Sequence, residues 1–76
     1  MYAKKMTIKV GEEYKVYWIG KSRRAKVTAI LKGQPGEIRI AWKYYYGFSF
    51  GWSPERVSSP RDFKEILGEQ IDSIEV

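Results

Sequence analysis

Strict alternation of apolar and polar residues over four segments constrains the fold of this chain more than any other feature. A side-chain period of two is typical of a β-strand with one buried face. The segments are residues 14–19, about 24–32, 37 to about 44, and a stretch within 46–53. The sequence therefore predicts a mainly β domain.

The alternation also assigns a face to each residue. The side predicted to be buried carries Tyr14, Val16, Trp18, Ala25, Val27, Ala29, Leu31, Ile38, Ile40, Trp42, Phe50 and Trp52. The outward side carries Lys26, Thr28, Lys32, Arg39 and Lys43, with Tyr17 and Ile30 as apolar members. We expect the first set to form the core.

Turn residues separate the strands. Gly20-Lys21-Ser22 is expected to break the first pair, and Gly33-Gln34-Pro35-Gly36 to form a hairpin loop. Gly47 is expected to break or bend the aromatic run. These short connections favour hairpins, and they predict a small closed or nearly closed barrel of five strands.

The period changes after Trp52. Residues 53–57 are predicted to form one helical turn, with Pro54 at its first position. A short C-terminal helix is predicted over 59–68, because Ser59 can cap it and Pro60 suits its first turn. Residues 69–76 form an acidic C-terminal tail that is compatible with helix or irregular strand.

Length and composition predict one intracellular domain over residues 1–76. The chain has no Cys and no His, so disulfides and the usual zinc ligands are missing. It also lacks a His or Cys base or nucleophile and a phosphate-binding glycine loop. We therefore expect a binding protein without cofactor or small-molecule substrate, not an enzyme. No segment reads as a membrane span or signal peptide, which favours the cytoplasm.

Charge is distributed unevenly along the chain. Residues 1–60 contain twelve Lys and Arg against four acids, whereas residues 61–76 contain two against five. A strongly basic domain attracts polyanions, of which nucleic acid is the commonest. The charge pattern therefore points to a nucleic-acid partner.

The candidate binding residues combine a basic patch with an aromatic run. Arg side chains match phosphate oxygens in pairs, and exposed rings stack on bases. The patch is predicted to contain Lys21, Arg23, Arg24 and Lys26, extended by Lys32, Arg39 and Lys43. The rings predicted to be exposed beside it are Tyr44, Tyr45, Tyr46 and Phe48.

The order of these motifs resembles Tudor, Tudor-knot and chromo-barrel domains over about residues 8–58. The similarity rests on Val10-Gly11-Glu12-Glu13-Tyr14-Lys15-Val16-Tyr17-Trp18, Gly20-Lys21, Ala25-Lys26-Val27, Ile38-Arg39-Ile40-Ala41-Trp42 and Trp52-Ser53-Pro54-Glu55-Arg56-Val57. The resemblance implies an SH3-like barrel that binds peptides, often with methylated Lys or Arg, or nucleic acid.

Methylated cations are bound by cages of aromatic rings. At the corresponding positions this chain has Ser22-Arg23-Arg24 and Lys43-Tyr44-Tyr45, whose cations would repel such a ligand. The departure favours a polyanion, DNA or RNA. Two alternatives stay open: a protein-interaction module with an aromatic peptide groove, and a viral or plasmid accessory protein that docks on an acidic protein.

Overall fold

Strands dominate the computed structural model, which describes residues 4–34, 36–47, 49–67 and 71–76. The strands within those ranges are β1 (Lys5–Thr7), β2 (Glu13–Trp18), β3 (Lys21–Lys32), β4 (Ile38–Gly47), β5 (Gly51–Trp52), β6 (Arg56–Ser58) and β7 (Ser73–Glu75). The helix α1 (Pro60–Ile66) lies between β6 and β7. The predicted mainly β fold with one short helix is confirmed.

The main sheet is an antiparallel meander in the order β2-β3-β4-β5. Strand β6 also pairs with β4, opposite Ile40–Trp42, while β5 pairs with the last residues of β4. Strands β5 and β6 therefore follow one edge of β4 in succession. The end of β2, the start of β3 and the end of β4 lie close together at one end of the sheet. We call it the turn end, because it carries the β2–β3 and β4–β5 turns.

A β-bulge in β3 reverses the predicted facing of its second half. Val27 pairs with Trp42, but Ala29 pairs with Ala41, so Thr28 is one residue in excess. Such an insertion shifts the side-chain alternation by one. Ile30 consequently packs against the core, and Leu31 is 48% exposed. The predicted burial of Leu31 and exposure of Ile30 are therefore wrong.

The turn between β2 and β3 is shorter than predicted. Ile19 and Gly20 both have positive φ, 51° and 75°, which is typical of a two-residue type I′ hairpin turn. Lys21 and Ser22, predicted to lie in the turn, already belong to β3. The loop from Gly33 to Gly36 lies between β3 and β4 as predicted, with Pro35 outside the described residues.

Trp42 lies at the centre of the core, as predicted. Its ring is fully buried against Trp18, Tyr44 and Phe63, at centroid distances of 5.3, 6.0 and 5.8 Å. Its indole Nε1 donates a hydrogen bond to Ser58 Oγ at 3.0 Å. The core is completed by Ile8, Val16, Ala25, Val27, Ile40, Leu67 and Ile71.

The predicted helix begins where the cap chemistry places it. Ser59 Oγ accepts a hydrogen bond from the Asp62 backbone at 3.2 Å, and Pro60 occupies the first helical position. Phe63 points into the core from this helix. Gly68, predicted to end the helix, lies outside the described residues.

Residues 53–55 belong to no helix and residues 56–57 are part of β6, so the predicted helical turn is wrong. Ser53 is held against β4 by two hydrogen bonds to the Tyr44 backbone, at 2.7 and 2.9 Å. These bonds keep the chain beside β4, where Arg56–Ser58 then pairs as β6. Long-range pairing thus prevails over the local helical preference of Pro54.

The two chain ends pair with each other. Strand β7 runs parallel to β1, with Ile74 opposite Met6. Strand β7 lies within 69–76, for which the sequence left helix or irregular strand open, and β1 was not predicted. The structure contains no helix long and apolar enough to cross a membrane in the part that it describes.

Candidate nucleic-acid interface

Strand β3 divides the predicted basic cluster between two faces of the sheet. Successive strand residues point to opposite sides, so Arg23 shares a face with the buried Ala25, while Arg24 and Lys26 point outward. Lys21 lies at the start of the strand, opposite Trp18 and beside the turn. The four residues therefore do not form one patch.

The outward residues of β2 to β5 form a continuous surface, which we call the outer basic face. It contains Lys15, Tyr17, Arg24, Lys26, Lys43, Tyr45 and Trp52. Glu13 also lies on it and makes an ion pair with Arg24 at 2.8 Å. Glu55 Oε2 accepts a hydrogen bond of 2.6 Å from Thr28 Oγ1, two residues beyond Lys26 on the same side of β3. The face thus carries four cations against two carboxylates.

Cations oppose cations across the strands of this face. Lys15 lies directly opposite Arg24 in β2–β3, and Lys26 lies directly opposite Lys43 in β3–β4. Like charges at directly opposed positions destabilise a sheet. Glu13, which lies directly opposite Lys26 and forms the ion pair with Arg24, offsets part of this repulsion.

Aromatic rings on the same face hold the cations in place. The Arg24 guanidinium lies 5.0 Å from the Tyr45 ring centroid and 5.5 Å from that of Trp52. Lys43 Nζ lies 5.6 Å from Trp52, and Lys15 Nζ lies 5.7 Å from Tyr17. These cation–π contacts restrict the side chains without neutralising their charge. The rings thus hold the cations in defined positions on the outer basic face.

Arg23 and Arg56 occupy a second cluster on the inner side, at the turn end of the sheet. Arg23 Nε donates a hydrogen bond to the Trp18 carbonyl at 3.1 Å, and its guanidinium lies 5.2 Å from the Tyr44 ring and 5.8 Å from the Tyr46 ring. The Arg56 guanidinium lies 4.7 Å from the Trp18 ring. The cluster connects β2, β3, β4 and β6 at one end of the sheet.

Tyr44 and Tyr46 share a hydrogen bond of 3.0 Å between their hydroxyls. This bond lowers the pKa of Tyr44; burial opposes the shift, and the nearby Trp18, Arg56 and Arg23 reinforce it. The same bond raises the pKa of Tyr46. Either hydroxyl can be the donor of this bond. Trp18 Nε1 has no hydrogen-bond partner among the described residues.

The predicted aromatic residues are placed differently from one another. Tyr44 is only 3% exposed and packs on Trp42, so its predicted exposure is wrong. Tyr45 is half-buried on the outer basic face, and Tyr46 is 46% exposed on the other side. Phe48 lies outside the described residues. Phe50, predicted to be in the core, is 78% exposed, because it lies in the turn between β4 and β5 and not in a strand.

Lys32 and Arg39 lie at the far end of the β3–β4 hairpin. Arg39 keeps the outward facing of Lys43, four residues along β4, which is about 13 Å. Lys32 follows the bulge and falls on the face of Ile30, so its predicted position on the outward face is wrong. The basic patch is therefore shorter than predicted.

The predicted site lacked Arg56 of the second cluster and three residues of the outer basic face, Lys15, Tyr17 and Trp52. The predicted core position of Trp52 is wrong, because its pairing with Tyr45 places it on the outward side. Lys15 and Trp52 belong to the outer basic face, and their positions follow from the alternation of β2 and the pairing of β5. Arg56 was missed because residues 53–57 were predicted to form a helical turn. Lys15 could have been predicted from the sequence, because it is next to the buried Val16 in β2 and therefore points outward.

A cleft with three acidic residues in its lining lies beside Arg56 and Trp18. It has a volume of about 580 Å³ and is lined by Trp18, Glu55, Arg56, Val57, Ser58, Asp62, Glu65 and Ile66. Its carboxylates make it unsuitable for a polyanion. Among the described residues, no three acidic side chains are arranged to hold a metal ion.

No family model, curated protein or solved structure matches this chain. Its surfaces are therefore interpreted from their own residues.

Proposed function

We propose that this protein binds nucleic acid, DNA or RNA, through phosphate contacts made by the outer basic face. The observation that carries the proposal is the pair of opposed cations, Lys15 against Arg24 and Lys26 against Lys43. A phosphate chain across these positions turns two repulsions into attractions and releases counterions. The protein then acts as a binding module and not as an enzyme.

The geometry supports tight phosphate contacts because the cations are already restrained. Ordering a long side chain on binding costs conformational entropy. Arg24 and Lys43 lie on Tyr45 and Trp52 before any ligand arrives. Arg24 uses its Nε for the hydrogen bond to Glu13, so the other N–H groups of its guanidinium can donate to a phosphate oxygen. Half-buried Tyr45 and exposed Tyr17 add ring surface for bases.

The proposal includes a finer statement of the fold. We infer that the meander β2-β3-β4-β5, with β6 following β5 along the same edge of β4, curls into an SH3-like barrel of the Tudor type. Support comes from the inward set Val16, Val27 and Trp42, which packs against α1. Curling of this kind protects short strand edges.

A charge reversal at Lys43 tests the proposed function. In Lys43→Glu the new carboxylate faces Lys26, so the free energy of unfolding should be unchanged or raised by up to about 1 kcal/mol. Affinity for a nucleic-acid duplex at 0.1 M salt should fall by about tenfold or more, because one phosphate contact becomes repulsive. Urea unfolding and fluorescence anisotropy measure the two quantities.

Arg61→Glu is the matched control, since it makes the same charge change on the exposed part of α1. Its affinity should change far less than that of Lys43→Glu. Equal losses in both variants would mean that net charge alone governs binding and that the outer basic face is not the interface.

One observation favours a second candidate, a protein-interaction module. Leu31 and Val57 are exposed on the outward side of the sheet, on the two strands that flank β4, with Leu31 opposite Arg39 and Val57 opposite Ala41. This apolar strip lies beside Arg39 at the far end of the hairpin. The affinity of this strip for a protein partner would depend little on salt concentration, whereas an affinity for nucleic acid would fall steeply as salt rises.

A further inference from the structure

The two most exposed large apolar side chains among the described residues both lie in turns. Ile19, between β2 and β3, is 68% exposed, and Phe50, between β4 and β5, is 78% exposed. A single exposed apolar residue is ordinary on a protein surface. Two at hairpin tips need a reason, since neither contributes to the core.

The backbone at Ile19 makes its presence unexpected. Its φ of 51° lies in the left-handed region, which β-branched residues rarely adopt. Asn, Asp and Gly are favoured at this position of a type I′ turn. Ile19 is therefore a poor choice for the turn and is not buried. Strained residues of this kind cluster at functional sites.

Both tips lie at the same end of the sheet. Strand β3 begins at the first turn, and β4 ends at the second turn. Because the two strands are antiparallel, with Ala25 opposite Tyr44, the start of β3 lies beside the end of β4. Contacts connect the two tips: Arg23 bonds to the Trp18 carbonyl and lies on the Tyr46 ring, which contacts Phe50 at 6.1 Å. The two turns are about two strand spacings apart, roughly 10 Å.

Cations border the two tips. Lys21 is exposed directly after the first turn. Arg23 uses Nε for the Trp18 carbonyl, which leaves both terminal guanidinium nitrogens available. Tyr17 and Ser22 form the second rung of the sheet from the turn, after Trp18 and Lys21, and join this end to the outer basic face.

We propose that Ile19 and Phe50 form a wedge that enters the base stack of a nucleic-acid duplex and kinks it, while Lys21 and Arg23 contact the flanking phosphates. This proposal rests on the proposed function. Apolar side chains inserted between base steps from the minor groove unstack them and bend the duplex. The bend brings more of the phosphate chain onto the outer basic face.

A doubly labelled duplex tests the wedge. The end-to-end distance of a 20-base-pair DNA duplex, with a donor dye at one end and an acceptor at the other, is measured by energy transfer. Saturating protein should shorten that distance. In Ile19→Asn combined with Phe50→Ser, the duplex should stay bound at low salt with its unbent distance, because the phosphate contacts remain.

Ile19→Asn alone separates the wedge from a structural role. Asn suits the turn better than Ile, so Tm should rise by about 4–8 °C while the bend is reduced. The slope of log affinity against log salt should be unchanged, since no phosphate contact is removed. Val57→Asn is the control: it removes an exposed apolar residue elsewhere on the surface and should leave the bend intact.

Three outcomes would overturn the wedge. The first is that the parent protein binds the duplex without bending it, and the second is that the bend is unchanged in the double variant. The third is that the protein binds phosphatidylserine vesicles, that Ile19→Asn abolishes this binding, and that the duplex stays straight. In the first two the proposed function stands. A parent that binds no duplex and no single strand at low salt refutes the proposed function itself.

Discussion

Replacing Trp42 with alanine is expected to remove a large fraction of the protein's free energy of unfolding. The ring is fully buried against Trp18, Tyr44 and Phe63, and its indole nitrogen bonds to Ser58. Truncating a buried Trp costs about 3–5 kcal/mol. A chain of this size has roughly 4–11 kcal/mol of stability in total. Urea unfolding followed by circular dichroism measures the loss.

Phe50→Ala is the matched control, because it also removes an aromatic ring. Phe50 is largely exposed, so its truncation should change stability by about 0.5 kcal/mol or less. If both variants unfold at the same urea concentration as the parent, Trp42 is not in the core and the register of β4 against its neighbouring strands is wrong.

Removing three cations from the outer basic face should have the largest effect on binding. Each phosphate contact contributes about 0.9 to the slope of log affinity against log salt on duplex DNA. Arg24→Ala, Lys26→Ala and Lys43→Ala together should therefore make the slope shallower by about 2.7. At 0.1 M salt this corresponds to an affinity loss of several hundred-fold, relative to a 1 M reference.

The triple variant should stay folded. It relieves the repulsion between Lys26 and Lys43, although it loses the Arg24–Glu13 ion pair, which is exposed and contributes little. A matched triple variant at Lys32, Arg39 and Arg61 removes the same charge away from the outer basic face. If the two triple variants lose the same affinity, the binding surface has been misassigned.

Local chemistry made much of the fold predictable. The alternation of β2 and β4 predicted their buried residues, including Val16 and Trp42, because a period of two depends only on neighbouring residues. The Ser59 cap and the start of α1 were predictable for the same reason. Each of these features is decided within a few residues along the chain.

The errors arose where distant residues decide the outcome. Ala29-Ile30-Leu31 is apolar throughout, so its pattern permits either facing, and only the pairing with β4 introduces the bulge at Thr28. Ser53 likewise follows β4 because of its two hydrogen bonds to Tyr44. Neither contact leaves a signal in the local sequence.

The sequence predicted the residue types of the candidate site better than it predicted how those residues are arranged. Arg23 is in phase with Ala25 and Val27, which already places it on the buried side, away from Arg24 and Lys26. Nothing in the local sequence indicates that the cations lie on aromatic rings of the next strands. That arrangement depends on the register of β3 against β4 and of β4 against β5.

The aromatic contacts suggest how one small sheet can serve two purposes. Tyr45 and Trp52 hold Arg24 on the outer basic face, whereas Tyr44 and Tyr46 hold Arg23 at the turn end. Both arginines thus keep their charge while their stems are restrained. We expect the outer basic face to supply affinity and the turn end to supply shape selectivity.

The most direct test of nucleic-acid binding by the outer basic face is its salt dependence in the unaltered protein. The affinity for a DNA duplex is measured by fluorescence anisotropy between about 0.05 and 0.3 M salt, and the same titration is repeated with a single strand. Lys15, Arg24, Lys26 and Lys43 supply up to four phosphate contacts, and Lys21 and Arg23 add up to two at the turns, which predicts a linear plot with a slope of about −4 to −5 for the duplex. A slope near zero, or no binding to duplex or single strand at the lowest salt, would contradict phosphate binding by this face.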